Sequence, residues 1–258
     1  MEFSGAEITA WVGAFFWPLT RLTGMMLVAP IFSNQQIPRQ VKAAFLISIT
    51  VLVAPMIDSV PAVEPFSFAG LLVIAQQFFI GMMGGFLINM AFSIVVMAGE
   101  SVAFKMGLGF ATMADPQNGM SVPILSQFLL LTASLIFMAL GGHLLLLEIL
   151  VLSFKTLPIG PDSFTIDQLY AVVMWGSQMF AGALLLALPV IVILTLINIA
   201  LGIMTRAAPQ LNIFSVGFPI TLLTGLVLVL TVFLPTMIPR VIAFWSEGFS
   251  ALRQLVGA

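Results

Sequence analysis

The sequence predicts an all-α integral membrane protein, and three observations lead to this fold class. Of the 258 residues, 61% are hydrophobic and only 7% are charged, whereas soluble domains average about 25% charged residues. The apolar residues gather in stretches of roughly 20 or more, the length that a helix needs to cross a bilayer. The stretches do not show the alternating pattern of barrel strands, and a helix satisfies its own backbone in lipid. We therefore expect about six long, partly kinked hydrophobic helices.

These helices are predicted from six apolar stretches and the connectors between them. The connectors contain Asp, Asn and Pro, which are typical of turns and helix ends. A shorter amphipathic tail, over about 240–255, follows the last stretch. In order along the chain, the stretches are approximately 11–32, 41–60, 69–99, 123–153, 170–204 and 213–238.

Three stretches are too long for a simple crossing: 69–99, 123–153 and 170–204. At about 1.5 Å per residue, each would reach roughly 45 Å or more. All three contain residues that break helices, so we expect kinks, or helices that stand partly clear of the bilayer. The breakers are Gly81, Gly84 and Gly85 in the first stretch, Gly141 and Gly142 in the second, and Pro189 in the third.

The composition also excludes several kinds of chemistry. The chain has no cysteine and one histidine, which excludes disulfides, thiolate metal sites and multi-histidine metal sites. The chain has no cluster of basic residues, so we do not expect it to bind nucleic acid. Neither a nucleophile elbow nor a phosphate-binding loop is present. We therefore expect no cofactor, no metal and no enzymatic activity, with an intramembrane enzyme as an alternative of a different class.

Arg21 lies in the middle of the first apolar stretch, in "WPLTRLTGMMLVAP". An ionised group inside a membrane is costly and needs a partner. It could belong to an ion or substrate site, or to an ion pair across a helix–helix or subunit interface. We prefer the ion pair, with Glu100 and Glu148 as candidate partners.

Four other polar residues invite a functional interpretation. His143 and Glu148 lie in "GGHLLLLE", about 140° apart on a helix, so they do not share a face. His143 is either part of a proton relay or, as we prefer, a hydrogen-bonded histidine at a helix end. Glu100 and Lys105 flank a helix end, where they form a local ion pair or contact a partner.

A helical hairpin is predicted over 187–220, with Pro189 bending its first arm. Asn198 on that arm is expected to form a hydrogen bond across helices. Arg206 begins the tip of the hairpin, which extends to Asn212.

The segment "MGLGFATMADPQNGMSVP", which begins at Met106, is too apolar for an ordinary loop and too broken for a helix. Gly107 and Gly109 permit unusual backbone angles, and Asp115-Pro116 and Asn118-Gly119 are turn signals. Met106, Met113 and Met120 are spaced by seven residues. Irregular backbone at membrane depth must be buried in protein or line a wet cavity. The residues alone leave two interpretations open, a surface loop or a re-entrant element in a pathway.

Four stretches of the chain resemble the R subunit family (FliR) of bacterial flagellar type III protein-export gates. They are "RLTGMMLVAPIFSNQQIPRQVKAAF" (21–45), "GESVAFKMGLGFATMADPQNGMSVPILSQFL" (99–129), "GGHLLLLEIL" (141–150) and "ALPVIVILTLINIALGIMTRAAPQLNIFSVGFPI" (187–220). Together they extend over almost the whole chain. The alternatives are the homologous T subunit of a virulence injectisome and, in a different class, an independent small-molecule transporter.

The resemblance implies a non-enzymatic, multi-pass protein of the bacterial inner membrane, within the flagellar basal body. One copy is expected to assemble with several P and Q subunits into a helical spiral of tilted hairpins. The B switch subunit, the A export-motor subunit, the basal-body ring, the proximal rod and membrane lipid would be its neighbours. Unfolded rod, hook and filament proteins would pass through the pore. Residues 1–169 would be the P-like part, and 170–258 the Q-like hairpin with its tail.

The resemblance further implies that residues 106–122 form a plug that closes the pore. Gly107, Gly109 and Gly119 would be its hinges, and Phe110 and the three methionines its sealing groups. Arg21, Glu100, Lys105 and Glu148 would hold helices and subunits together. The full set of predicted plug residues is Met106, Gly107, Leu108, Gly109, Phe110, Ala111, Met113, Asp115, Pro116, Gly119 and Met120.

Overall fold

A computed structural model describes residues 5–34, 36–57, 61, 63–64, 67–109, 123–160, 165–208 and 216–257, with side chains from residue 11 onward. Within these ranges the chain is built of α-helices and contains no strand, which confirms the predicted fold class. A 3₁₀ turn, Ala54–Met56, follows the second helix, and a π-helical turn, Val229–Phe233, precedes the last. The described residues form eight α-helices: α1 Gly5–Val28, α2 Arg39–Val53, α3 Phe68–Lys105, α4 Ile124–Ala139, α5 Gly142–Thr156, α6 Ile166–Ala207, α7 Phe218–Leu228 and α8 Leu234–Val256.

Length and hydropathy decide which of the described helices could cross a membrane. Four helical segments of the described chain are long and apolar enough to cross a membrane, or five if the bent pair α4–α5 counts as one span. The first predicted stretch, in α1, does not qualify, because Arg21, Pro18 and two tryptophans lower its hydropathy. The predicted tail is not separate, since α7, the π turn and α8 form one helical segment, Phe218–Val256.

The predicted break at Gly141 and Gly142 is confirmed. The helices α4 and α5 are bent by 63° relative to each other at this point. Gly141 has a φ of 70°, a left-handed conformation that costs glycine little because it has no Cβ. A Cβ on Gly142 would lie 2.5 Å from the ring of Phe137. The two glycines therefore serve different purposes, one turning the backbone and the other admitting an aromatic ring.

The helices pack into two compact units. Unit 1 comprises 1–90, 137–176 and 246–258, and unit 2 comprises 91–136 and 177–245. This division is discontinuous in sequence and is a different one from the predicted P-like and Q-like parts. The predicted boundary at residue 169 falls in the first turn of α6, and the two-part division stays a prediction.

In unit 1, α1 and α3 meet along a seam with a four-residue repeat on α3. Cβ atoms on Gly81 and Gly85 would overlap the backbone carbonyl oxygens of Arg21 and Met25. Asn89 continues the row and donates from Nδ2 to the carbonyl of Val28 at 3.0 Å. The sequence predicted Gly81 and Gly85 as helix breakers, and this prediction is wrong. They lie inside one continuous helix and let a second backbone approach closely.

In unit 2, too, helices approach each other closely at glycine residues. A Cβ on Gly99 of α3 would lie 2.8 Å from Leu129 of α4, and one on Gly182 of α6 would lie 2.8 Å from Phe244 of α8. Close approach at glycine supplies the dense packing that drives helix association where burial from water does not.

Pro189 lies inside α6, where its missing N–H leaves the carbonyl of Leu185 without its helical partner. Arg240 of α8 donates from Nη1 to this carbonyl at 2.6 Å. The exposed arginine side chain therefore supplies the donor that the Leu185 carbonyl oxygen lacks because of the proline.

Candidate functional site

The predicted plug is described only at its start, where α3 ends. Met106, Gly107, Leu108 and Gly109 are described. The other predicted plug residues lie outside the described residues: Phe110, Ala111, Met113, Asp115, Pro116, Gly119 and Met120. We call residues 103–109 the root of the segment.

The root ends α3 with a Schellman motif. The N–H of Leu108 donates to the carbonyl of Ala103 at 3.0 Å, and the N–H of Gly107 donates to the carbonyl of Phe104 at 3.1 Å. Gly107 has a φ of 85°, as the C′ position of this motif requires. Gly107 therefore marks the end of α3, and its predicted role as a hinge stays a prediction.

The side chain of Met106 is fully buried inside unit 2. It lies against Gly225 of α7, where an added Cβ would come within 2.8 Å of both its Sδ and its Cε. We predicted Met106 as a sealing group, and this role stays a prediction. In the structure its side chain is held within its own chain.

Two further contacts hold the root. A Cβ on Gly109 would lie 2.5 Å from the ring of Phe104, so this glycine lies directly over the ring. Asn198 of α6 donates from Nδ2 to the carbonyl of Lys105 at 3.4 Å, which agrees with the expected hydrogen bond across helices. Lys105 and Glu100 form no ion pair with each other in the described chain, and Lys105 contributes its backbone instead.

Arg21 is the other polar centre, and it lies in unit 1. It is 0% exposed, and its guanidinium reaches α3 and α5. Nε donates to Oε1 of Gln77 at 2.8 Å, and Nη2 donates to the same oxygen. Nη1 donates to Oγ of Ser153 at 2.9 Å. Nη2 also donates to the carbonyl of Leu157 at 2.9 Å, and Cζ lies 4.1 Å from the ring centroid of Phe154.

The expected carboxylate partners of Arg21 are not among these groups. Glu148 is exposed on α5 and Glu100 belongs to unit 2. The positive charge of Arg21 is instead balanced by the C-terminal end of α5. Leu157 is the C-cap of this helix, and a helix C-terminus carries a partial negative charge. The face of Phe154 adds a cation–π contact. Arg21 therefore connects three helices as a structural group, and its full burial is unlike an ion pathway.

His143 lies in the first turn of α5, at a helix end as predicted. The expected hydrogen bond is absent at Nδ1, which is buried without a partner in the described chain. Glu148 and the hairpin residue Arg206 are exposed. The tip beyond Arg206, at 209–215, lies outside the described residues.

The sequence interpretation missed the residues that hold these two centres. Gln77 and Ser153 each lie inside an apolar stretch and are 0% exposed, and Gly225 lies in the leucine-rich arm after the hairpin tip. A usable signal was present for Gln77, since Gln77, Gly81, Gly85 and Asn89 recur every four residues, on one helix face. No comparable pattern identifies Gly225.

The described residues hold no group of three His, Cys, Asp or Glu side chains that could bind a metal. The two centres consist of packed apolar groups, amides and backbone carbonyls around one cation. Such an arrangement positions helices and a segment end; it has no nucleophile with an adjacent base.

Comparison with protein families shows which family the chain belongs to. Residues 12–248 match the model of the bacterial export proteins, family 1. The chain belongs to this family. The match extends over Arg21, the root and the 106–122 segment, so both centres lie within the part of the chain that the family shares. This agrees with the resemblance drawn from the four sequence stretches.

Curated members of the bacterial export proteins extend over nearly the same length. The flagellar biosynthetic protein FliR of Escherichia coli K12 is 38% identical over 258 residues, covering 99% of this chain and 97% of the relative. FliR of Pectobacterium carotovorum is 38% identical over 256 residues, with the same coverage. FliR of Bacillus subtilis is 27% identical over 253 residues, covering 95% and 96%. Together with the long apolar helices, this makes the chain a multi-pass inner-membrane protein.

Proposed function

We propose that the chain is a pore-forming core subunit of the flagellar protein-export gate, with residues 106–122 as the plug of its closed pore. Membership of the bacterial export proteins supports a role in export, and the flagellar names of its relatives support the flagellar gate over the injectisome. Unfolded rod, hook and filament proteins would be its cargo. The observation that carries assembly into a gate is the length of the exposed apolar surface on α6.

Exposed apolar side chains extend along almost all of α6, from Ile166 and Tyr170 at its start to Ile203 and Met204 near its end. At about 1.5 Å per residue this distance is roughly 57 Å, whereas the hydrocarbon core is about 30 Å thick. Even at a tilt of about 40°, the upper end of the range for membrane helices, a crossing takes up only about 39 Å of helix. Part of this surface therefore needs protein to cover it.

P and Q subunits are the proposed cover, in the helical spiral of hairpins that the sequence resemblance implies. The switch and motor subunits, the basal-body ring and the proximal rod would adjoin that spiral. Exposed residues of α2, such as Val51 and Leu52, offer further apolar surface to lipid or to a neighbouring subunit. The subunit itself would act without enzymatic chemistry, by shaping the channel.

The plug proposal is supported by composition and by the root. An apolar constriction excludes ions by dewetting and still yields to an arriving chain. Phe110, Met113 and Met120 remain the proposed sealing groups. A seal of this kind needs a firm attachment, and the root supplies one in α3.

A membrane-conductance assay tests the plug. Deletion of 110–120, which spares the root, is expected to leave the gate assembled but permeable to ions. A matched control replaces 110–120 with a Gly/Ser linker of equal length, which restores length without apolar groups and should also leak. The plug is refuted if assembled gates that carry the deletion conduct no more than native gates.

Copurification separates the gate from an independent transporter. A gate subunit is expected to purify with P and Q subunits in fixed, unequal numbers, whereas a transporter would purify alone or as a homo-oligomer. Rescue of motility in a flagellated strain that lacks its R subunit separates the flagellar gate from the injectisome. A His143→Ala variant with unchanged export would argue against an intramembrane enzyme.

A further inference from the structure

We propose that the contact between Met106 and Gly225 is a fixed anchor that stays closed while the gate exports, so that any movement of the plug begins after Gly109. This inference rests on the proposed function, and it deepens it. It assigns the described start of the plug segment to the rigid part of the molecule, with α7 as the opposing wall.

The first argument is steric. Met106 is 0% exposed, and its side chain occupies the space that the missing Cβ of Gly225 leaves on α7. Any larger residue at 225 would displace the thioether. Methionine is unbranched and polarizable, and so fills an irregular gap of this kind well. Gly225 is itself buried, which makes the contact part of the packed interior of unit 2.

The second argument is that the backbone on both sides of Met106 is also held. The paired hydrogen bonds from Gly107 and Leu108 close the end of α3. Asn198 on α6 binds the carbonyl of Lys105. The root is therefore attached to α6 and α7 as well as to its own helix. Segments that open readily have few buried contacts, whereas Ala103 and Met106 of the root are both 0% exposed.

The chain contains no cysteine, so a cysteine pair can test the anchor without background from other cysteines of this chain. In a Met106→Cys, Gly225→Cys gate, the sulfur at 106 would lie where Cγ of Met106 now contacts the Cβ position of residue 225. Because the side chain at 106 is in direct contact with the Cβ position of residue 225, an added oxidant should link the pair in intact gates. A Phe104→Cys, Gly225→Cys gate is the matched control and should not link, because the Phe104 side chain is directed at Gly109 and is 58% exposed.

The decisive comparison is between the linked and the reduced state of the same variant. Export, measured as secreted hook or filament protein per assembled gate, is expected to be equal in the two states. The anchor is refuted if the pair fails to link, or if linking stops export and a reductant restores it. Either result would mean that the root is apart from α7, or must leave it, when the gate opens.

A single variant covers the case in which the pair fails to assemble. In a Met106→Cys gate, a membrane-permeant maleimide should modify Cys at 106 at least about tenfold more slowly during active export than after unfolding in detergent. Equal rates would overturn the anchor. Failure of the plug itself has a different signature: the 110–120 deletion would not leak, while the 106–225 disulfide would still form.

Discussion

Replacement of Gly81 by alanine is expected to separate α1 from α3. The new Cβ would overlap the backbone carbonyl oxygen of Arg21 and lie 3.0 Å from the backbone nitrogen of Met25. A flexible side chain could rotate away, but these are backbone atoms of a packed helix. One of the two helices has to move.

The loss in free energy of unfolding can be estimated from the packing. Overpacking of a well-packed interior typically costs about 1–3 kcal/mol, and a rigid obstacle puts Gly81→Ala at about 3 kcal/mol. For a chain of this size, each kcal/mol lowers Tm by roughly 2–4 °C, so the expected loss is about 6–12 °C. The displacement would also disturb the Arg21 hydrogen bonds, since Arg21 lies on the same seam.

Two other glycines provide graded controls. A Cβ on Gly84 would meet only the flexible end of Leu252 at 3.3 Å, and a Cβ on Gly202 would meet nothing within 4 Å. Gly84→Ala should therefore have a small effect, whereas Gly202→Ala should stabilise α6 by about 0.5–1 kcal/mol, because alanine loses less backbone entropy than glycine. Thermal unfolding of the purified subunit in detergent measures all three. If Gly81→Ala unfolds within 2 °C of Gly202→Ala, the seam is not packed as described.

Three further predictions concern the arginines and the end of α3. Arg21→Lys should destabilise the subunit by about 2 kcal/mol in the same assay, because a single ammonium cannot reach Gln77, Ser153 and Leu157 together; a variant as stable as the native chain would contradict the three-helix connection. Gly107→Ala should cost about 1 kcal/mol, since alanine is strained at a φ of 85°, and a gain of stability would contradict the Schellman end. Arg240→Met should destabilise, and Pro189→Ala should largely compensate in the double variant by restoring the N–H that binds Leu185; simple additivity in denaturation would refute this coupling.

The fold class and the long helices could be predicted because they depend on composition and on the length of apolar stretches. The bend at Gly141 and Gly142 was predictable for a similar reason, since paired glycines interrupt an apolar run. Gly81 and Gly85 were misread because a glycine inside a helix can mark either a break or a close approach. Only the neighbouring helix decides between the two, and the sequence does not show which helix that is.

The Arg21 site shows a second limit. A buried cation predicts a partner, and the carboxylates of Glu100 and Glu148 were the obvious candidates. In the structure the charge is met by an amide, a hydroxyl, an aromatic face and a helix end. These groups recur throughout the chain and carry no sequence signal of their own, so they could be found only from the packing of α1, α3 and α5.

The hydrogen bond from Arg240 to the Leu185 carbonyl has a consequence for biosynthesis. Residue 240 leaves the ribosome more than fifty positions after residue 185, so α6 enters the membrane with one carbonyl still open. Water or the insertion machinery has to satisfy this group until α8 is made. A chain truncated before residue 240 would lack this donor. The hydrogen bonding of the sixth helix is thus completed only after the eighth helix has been made.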